Sequence, residues 1–107
     1  MSVKKEAQMV IIATISFPPE SAKEIGKRVL ELPPLPKYVT MKGPYVSSDV
    51  GVGIKAITVY EFDQSQVRET MELVSNRYVK YYGVPGFTYS IQVWQETAEA
   101  LKLIGLG

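Results

Sequence analysis

Two stretches of this chain are apolar on both faces when laid out as strands. In Gln8–Phe17, Met9, Ile11, Ala13, Ile15 and Phe17 fall on one row, and Val10 and Ile12 make much of the alternate row apolar too. In Gly53–Asp63, Ile54, Ala56, Tyr60 and Phe62 share one face while Ile57 and Val59 share the other. Side chains alternate along an extended chain, so each stretch predicts a strand with no face to spare for water. Between them, Pro18-Pro19 ends the first strand, and Pro19 suits the opening turn of a helix. Ala22, Ile25, Val29 and Leu32 then recur at helical spacing until Pro33-Pro34. Ser21 and Glu24 have the spacing of a capping box. Gly26 costs that helix about 1 kcal/mol against alanine, a cost that close packing on the sheet would explain.

The remaining elements are amphipathic. Lys37–Ser47 predicts a second strand, Tyr38, Thr40 and Lys42 alternating with Val39 and Met41, and Gly43-Pro44 inside it marks an edge position or a bulge. Ser47–Gly51 is a turn-rich connection. A second helix begins near Asp63 or Ser65 and carries the stripe Val67, Met71, Val74, Tyr78 and Tyr81, with Gly83 as its cap and Pro85 beyond. Phe87–Gln95 predicts a fourth strand, with Phe87, Tyr89, Ile91 and Val93 opposite Thr88, Ser90, Gln92 and Trp94. Thr97–Ile104 predicts a short terminal helix. The order β-α-β-β-α-β is that of the ferredoxin-like arrangement. It predicts one α+β domain over residues 1–107, a four-stranded antiparallel sheet in the order 4-1-3-2 with two helices on one face, and a short C-terminal helix. That order makes the first and third strands central, and those are the two that are apolar on both faces. Helices can cover only one side of such a sheet. The other side calls for a second cover, and a second copy of the chain, packed sheet to sheet, is the expected one. The pattern leaves open which face meets the helices.

Composition narrows the chemistry. The chain has 107 residues, a formal net charge of +1, and no block of like charge, so it lacks the basic stripe that nucleic acid or an anionic membrane selects. It contains neither cysteine nor histidine. That excludes disulfides, thiolate nucleophiles, the commonest zinc and haem ligands, and the commonest general base near neutral pH. Carboxylates show no metal-ligand spacing, and Gly51-Val52-Gly53 is too brief for a dinucleotide fingerprint and precedes a strand. Neither a metal nor a cofactor is expected. Lys4-Lys5 ahead of the run Met9–Ile15 loosely imitates a signal peptide, but Glu6 and Gln8 intervene and Phe17-Pro18-Pro19-Glu20 stands where a small-residue cleavage site belongs. A buried strand explains that run better, and no stretch approaches the ~20 apolar residues of a membrane span. The expected location is the cytoplasm.

With these elements in place, Met9 through Ile104 resembles the dimeric α+β barrel superfamily of ferredoxin-like proteins. The residues carrying the likeness are the entry from the first strand into Pro18-Pro19-Glu20, the hairpin around Gly43-Pro44 and Gly51, and Tyr82-Gly83-Val84-Pro85-Gly86-Phe87 leading into the fourth strand. The resemblance implies two sheets packed face to face in a homodimer. The superfamily includes small monooxygenases, isomerase-like proteins and haem-degrading enzymes. The histidine-dependent and haem-binding chemistries do not carry over to a chain without histidine.

The richest polar neighbourhood is Arg77-Tyr78-Val79-Lys80-Tyr81-Tyr82. A helix brings Tyr78 and Tyr81 or Tyr82 to one side with Arg77 and Lys80 flanking, and phenols beside a cation suit a carboxylate or an enolate in an apolar pocket. The competing account makes Tyr78 and Tyr81 core residues with hydroxyls at the rim. The aromatics Tyr60 and Phe62 invite comparison with RNA-binding sheets, but the basic-glycine-aromatic order of that motif is missing. Lys55 and Glu61 sit at opposite ends of the Ile57/Val59 face, more simply a polar rim than an acid–base pair. Asp49 and Asp63 read as a turn former and a helix cap. Lys37, Tyr38, Tyr45 and Trp94 are candidates for lining the open ends of a barrel, Trp94 packing across the dimer or under the terminal helix. Two functional expectations follow. The first is a homodimer that binds a small apolar molecule through Tyr60, Arg77, Tyr78 and Tyr81, without evident catalytic residues. The alternative is a cofactor-independent enzyme of monooxygenase or isomerase type acting on a small aromatic or quinol-like substrate. A purely structural interaction module is the third possibility.

Overall fold

The first strand, β1 (Gln8–Phe17), lies between two antiparallel neighbours, the third strand β3 (Gly53–Asp63) and the fourth strand β4 (Thr88–Gln95), and β2 (Thr40–Asp49) pairs with the far side of β3. The sheet order is therefore β2-β3-β1-β4, and the two doubly apolar strands occupy its centre. This computed structural model describes residues 8–51 and 53–106. Lys4, Lys5, Glu6, Val52 and Gly107 lie outside them. Helix α1 (Ala22–Leu30) joins β1 to β2, α2 (Val67–Val79) joins β3 to β4, and α3 (Thr97–Leu103) follows β4. This α+β arrangement is compatible with the ferredoxin-like fold. Among the described residues no helix is long and apolar enough to cross a membrane.

Register assigns every side chain to a face. Ile11 stands opposite Tyr60 and Val93, Ala13 opposite Thr58 and Ile91, and Ile15 opposite Ala56 and Tyr89. This is the face that meets the helices: Ile11, Ala13, Tyr60 and Phe62 are buried in one core with Ile25 of α1 and Val74 and Tyr78 of α2. The alternate row pairs Val10 with Glu61 and Trp94, and Ile12 with Val59 and Gln92. Helices α1 and α2 lie on the other side, and among the described residues this second face keeps exposed apolar surface. Ile57 is 43% exposed there, Trp94 48% and Tyr45 61%.

Several local expectations need correction. The second strand starts at Thr40, not Lys37, because the Val39 amide donates to the Pro36 carbonyl at 3.2 Å and the chain is still turning there. Tyr38 and Lys37 therefore precede β2, which runs on to Asp49. The expected irregularity at Gly43-Pro44 is present as a register shift between Lys42 and Tyr45. Gly43 has φ +96°, and a Cβ there would stand 2.9 Å from the Ile57 carbonyl oxygen, so the bulge requires glycine. Ser21 does not form a capping box. Its hydroxyl donates to the Pro85 carbonyl at 2.6 Å instead, because a single 3₁₀ turn, Pro19–Ser21, precedes α1 and buries that side chain. At α2 the expected cap is present: the Asp63 carboxylate accepts the Ser65 amide at 2.9 Å, at the head of a 3₁₀ turn over Gln64–Gln66. Helix α2 ends at Val79, and Gly83, at φ +90°, turns the chain four residues later.

Gly26 does not pack on the sheet. It is exposed, and nothing lies within 4 Å of the position its Cβ would take. The backbone cost of a mid-helix glycine is therefore not offset by close packing. Gly26→Ala is expected to stabilise the protein by about 0.5–1 kcal/mol, read as a higher denaturation midpoint with an unchanged slope. A neutral or destabilising result would show that this position is constrained by something other than helix propensity.

Candidate functional site

The last turn of α2 faces the helix side of β3, and this placement brings four residues singled out in the sequence together. Tyr60, Arg77, Tyr78 and Tyr81 all line one cavity of about 160 Å³ between the sheet and the two helices. Its remaining walls are mostly apolar: Ile15, Phe17 and Ala56 from the sheet, Ile25, Val29 and Leu32 from α1 and its exit, and Met41, Pro44 and Val46 from β2. The floor is buried, with Tyr60 at 1% exposure. Val29, Met41 and Val46 are exposed and form the rim, so the mouth opens between α1 and the edge strand.

The polar groups come from β3 and from α2 and its exit. The hydroxyls of Tyr60 and Tyr78 are hydrogen-bonded at 2.9 Å in the buried interior, and the buried Thr58 lines the same space. The hydroxyl of Tyr78 is therefore not at the rim, as the core account of this helix anticipated. Thr58 was not singled out in the sequence. Its signal is there, a polar interruption in the apolar row Ile54, Ala56, Tyr60, Phe62. Tyr82 departs from the pair and is exposed, its hydroxyl 2.7 Å from that of Tyr89. Tyr38, Tyr45 and Trp94 do not join the cavity.

An aromatic ring of contacts holds the two buried tyrosines in place. Tyr78 lies 5.9 Å from Tyr81, Tyr81 5.2 Å from Phe87, Phe87 5.6 Å from Tyr89, and Tyr89 6.1 Å from Tyr78, measured between ring centroids. Each such pair contributes roughly 0.5–1.5 kcal/mol beyond its buried area. Arg28 of α1 fastens the same corner, donating to the carbonyls of Lys80 at 3.1 Å and Tyr82 at 2.8 Å. The loop entering β4 is equally fixed, since a Cβ on Gly86 would sit 2.5 Å from the Pro18 ring.

Among the described residues Arg77 is the one cation lining the cavity. Its Nη1 donates to the Pro33 carbonyl at 2.9 Å, which ties the end of α2 to the loop after α1. Its Nε is buried and has no hydrogen-bond partner, and Arg77 forms no ion pair among the described residues. Leaving such a donor unpaired costs about 1–3 kcal/mol or more.

A second, larger depression of about 500 Å³ lies beside it, lined by Glu24, Lys27, Arg28, Glu31, Leu32, Pro33 and Lys80. It is lined mostly by charged residues, and its cation Arg28 already binds Glu24 at 3.1 Å and two backbone carbonyls. The smaller cavity, with an apolar wall and convergent polar groups, has the form of a ligand site. Lys55 and Glu61 are not an acid–base pair. On the opposite face Lys55 binds Asp49 at 3.5 Å and Glu61 binds Lys42 at 3.1 Å.

Burial pushes the Tyr78 phenol above its ordinary value, and the adjoining Tyr60 adds to the shift. Burial also raises Tyr81, while the Arg77 cation pulls the other way. Both phenols are therefore held neutral near physiological pH, as hydrogen-bonding groups and not as bases. A phenol whose folded pKa is raised contributes stability that is intact below the unfolded value near 10 and is lost as pH climbs beyond it. Wild-type protein is accordingly expected to lose stability above about pH 10, and Tyr78→Phe to lessen that slope in denaturation titrations at rising pH. An unchanged alkaline slope in the variant would contradict the assignment. No family model matches this chain, and no curated protein matches it significantly, so its function has to be read from the fold and this cavity.

Proposed function

We propose that the protein binds a small, largely apolar molecule in the cavity between its sheet and helices, and does so as a homodimer packed through the open sheet face. The observation that carries the binding reading is the convergence of Tyr60, Arg77, Tyr78 and Tyr81 on one cavity of about 160 Å³. A cavity of ~150 Å³ lined by aliphatic and aromatic side chains is known to stay dry and admit benzene, so the volume suits a single ring or a branched chain of similar size.

The dimer rests on the other face of the sheet. Val10, Ile12, Ile57 and Val59 form an apolar centre, and Trp94 and Tyr45 add exposed aromatic surface. Around it, Lys42–Glu61, Lys55–Asp49 and the Ser16–Thr88 hydroxyl bond at 2.6 Å form a rim whose charges are neutralised within the chain. An apolar centre inside a polar rim is the usual anatomy of an interface, and a two-fold pairing lets the patch cover itself. The protein is 22 Å through its shortest extent, room for one sheet and one layer of helices, with a second sheet as the missing third layer. This association matches the dimeric α+β barrel superfamily that the sequence resembles. A cytoplasmic location belongs to the same proposal; the lack of cysteine leaves the compartment open.

An enzymatic reading has one observation in its favour, the buried Tyr60–Tyr78 hydroxyl pair beside a cation. It would make the protein a cofactor-independent monooxygenase or isomerase for a small aromatic or quinol-like substrate. Tyr78, its phenol pushed up by burial, supplies a hydrogen bond to such a substrate but no base near neutral pH.

Two experiments test the proposal. Ala56 lines the cavity, and Ala56→Phe is expected to fill it and to abolish binding of toluene detected by ligand-observed NMR. Wild-type protein that shows no toluene binding would refute the cavity reading. Val59→Asp places a carboxylate at the centre of the open face, and light scattering should report a monomer where wild type gives a dimer. A variant with the wild-type oligomeric mass rules out sheet-to-sheet association.

A further inference from the structure

We infer that the natural ligand of this cavity is a small monocarboxylate with a compact apolar body, its charge held by Arg77. The inference rests on the cavity reading above and goes beyond it by assigning the ligand's charge and orientation. Arg77 lines a cavity whose other described walls are nearly all hydrocarbon or hydroxyl. Only Nη1 is committed, to the Pro33 carbonyl at 2.9 Å, and Nε is buried without a partner. A guanidinium grips a carboxylate through two parallel bonds from Nε and the adjacent Nη2, and that is the edge of Arg77 left without an acceptor. Among the described residues no carboxylate lines this cavity, so none of them supplies a counter-charge there. The neighbouring Tyr81 adds a neutral phenol, and the Tyr60–Tyr78 pair, with one proton spent between its two oxygens, has one hydroxyl proton left to donate. The apolar wall of Ile15, Phe17, Ile25 and Ala56 then takes the body of the ligand.

The orientation follows from where the polar groups lie. The carboxylate meets Arg77, and the ring or branched chain fills the apolar part of the cavity. A dianion or a polyhydroxylated acid is disfavoured, because the hydrocarbon walls offer its extra polar groups no partners. The same volume excludes long fatty acids from full entry.

The test uses three probes of one size, benzoate, benzamide and toluene, titrated into wild type, Arg77→Gln and Arg77→Lys and followed by NMR and calorimetry. Benzoate should bind wild type more tightly than benzamide, with shift changes at the Tyr78 and Tyr81 rings. Arg77→Gln should weaken benzoate by roughly tenfold to a hundredfold, the loss expected of a charge-assisted hydrogen bond, a larger loss than it causes for toluene. Arg77→Lys, which keeps the charge and the fold but loses the planar fork, should recover only part of the benzoate affinity. Toluene binding without benzoate binding, or benzoate affinity equal in wild type and Arg77→Gln, overturns the carboxylate assignment and leaves the cavity reading standing. Failure of all three probes on wild type overturns both. The comparison of benzoate with toluene on wild type needs no variant, so misfolding of Arg77→Gln would not blunt it.

Discussion

The antiparallel pairing of β1 with β3 is the constraint on which the other elements depend. Ten residue pairs, from Gln8–Asp63 to Phe17–Ile54, run through the middle of the sheet, and both strands are apolar on both faces over much of that length. On one side the row of Ile11, Ala13, Ala56, Tyr60 and Phe62 has to be covered, and α1 and α2 cover it. Burying such side chains contributes about 1.5–3 kcal/mol each, whereas the short helices have little stability of their own. The helices thus form where the strands need them. The edge strands β2 and β4 then have only to cap a sheet whose centre is already determined, and their polar outer rows reflect this.

The cavity is a by-product of that packing with chemical consequences. The bulge at Gly43-Pro44 interrupts the edge strand beside the cavity, whose inner walls include residues that build the core. Arg77 marks where the packing is incomplete: it spends one nitrogen holding Pro33 and keeps a buried donor unmatched.

Much of this was legible in the sequence, and the limits have physical causes. Strand positions were readable because period-two alternation is set by covalent geometry and survives any tertiary context. Gln8–Phe17 and Gly53–Asp63 matched their expected bounds for this reason. The convergence of Tyr60 with Tyr78 was anticipated only as a candidate grouping, since one comes from a strand and the other from a helix. Their meeting depends on packing that no local pattern encodes. Ser21 and Gly26 were misjudged because each has a local rule, capping or close packing, that a longer-range circumstance overrode. For Ser21 it was the Pro85 carbonyl of a distant loop. For Gly26 it was a helix face that meets nothing. The start of β2 was misplaced because a turn hydrogen bond at Pro36 and Val39 leaves no mark in hydrophobic periodicity.

The two faces of β3 have a further consequence for how such a protein changes over generations. Tyr60 looks into the cavity while Val59 and Glu61, its immediate neighbours, look the other way. A strand cannot let one side chain lean on the next, since adjacent residues are separated by the thickness of the sheet. Substitutions at Ala56, Thr58 or Tyr60 can therefore reshape what fits beneath the helices without disturbing the outer surface, and changes at Ile57 or Val59 do the reverse. A single eleven-residue segment holds two separately inheritable traits, interleaved one residue at a time. Only an insertion or deletion within it, which would exchange the two rows, alters both at once.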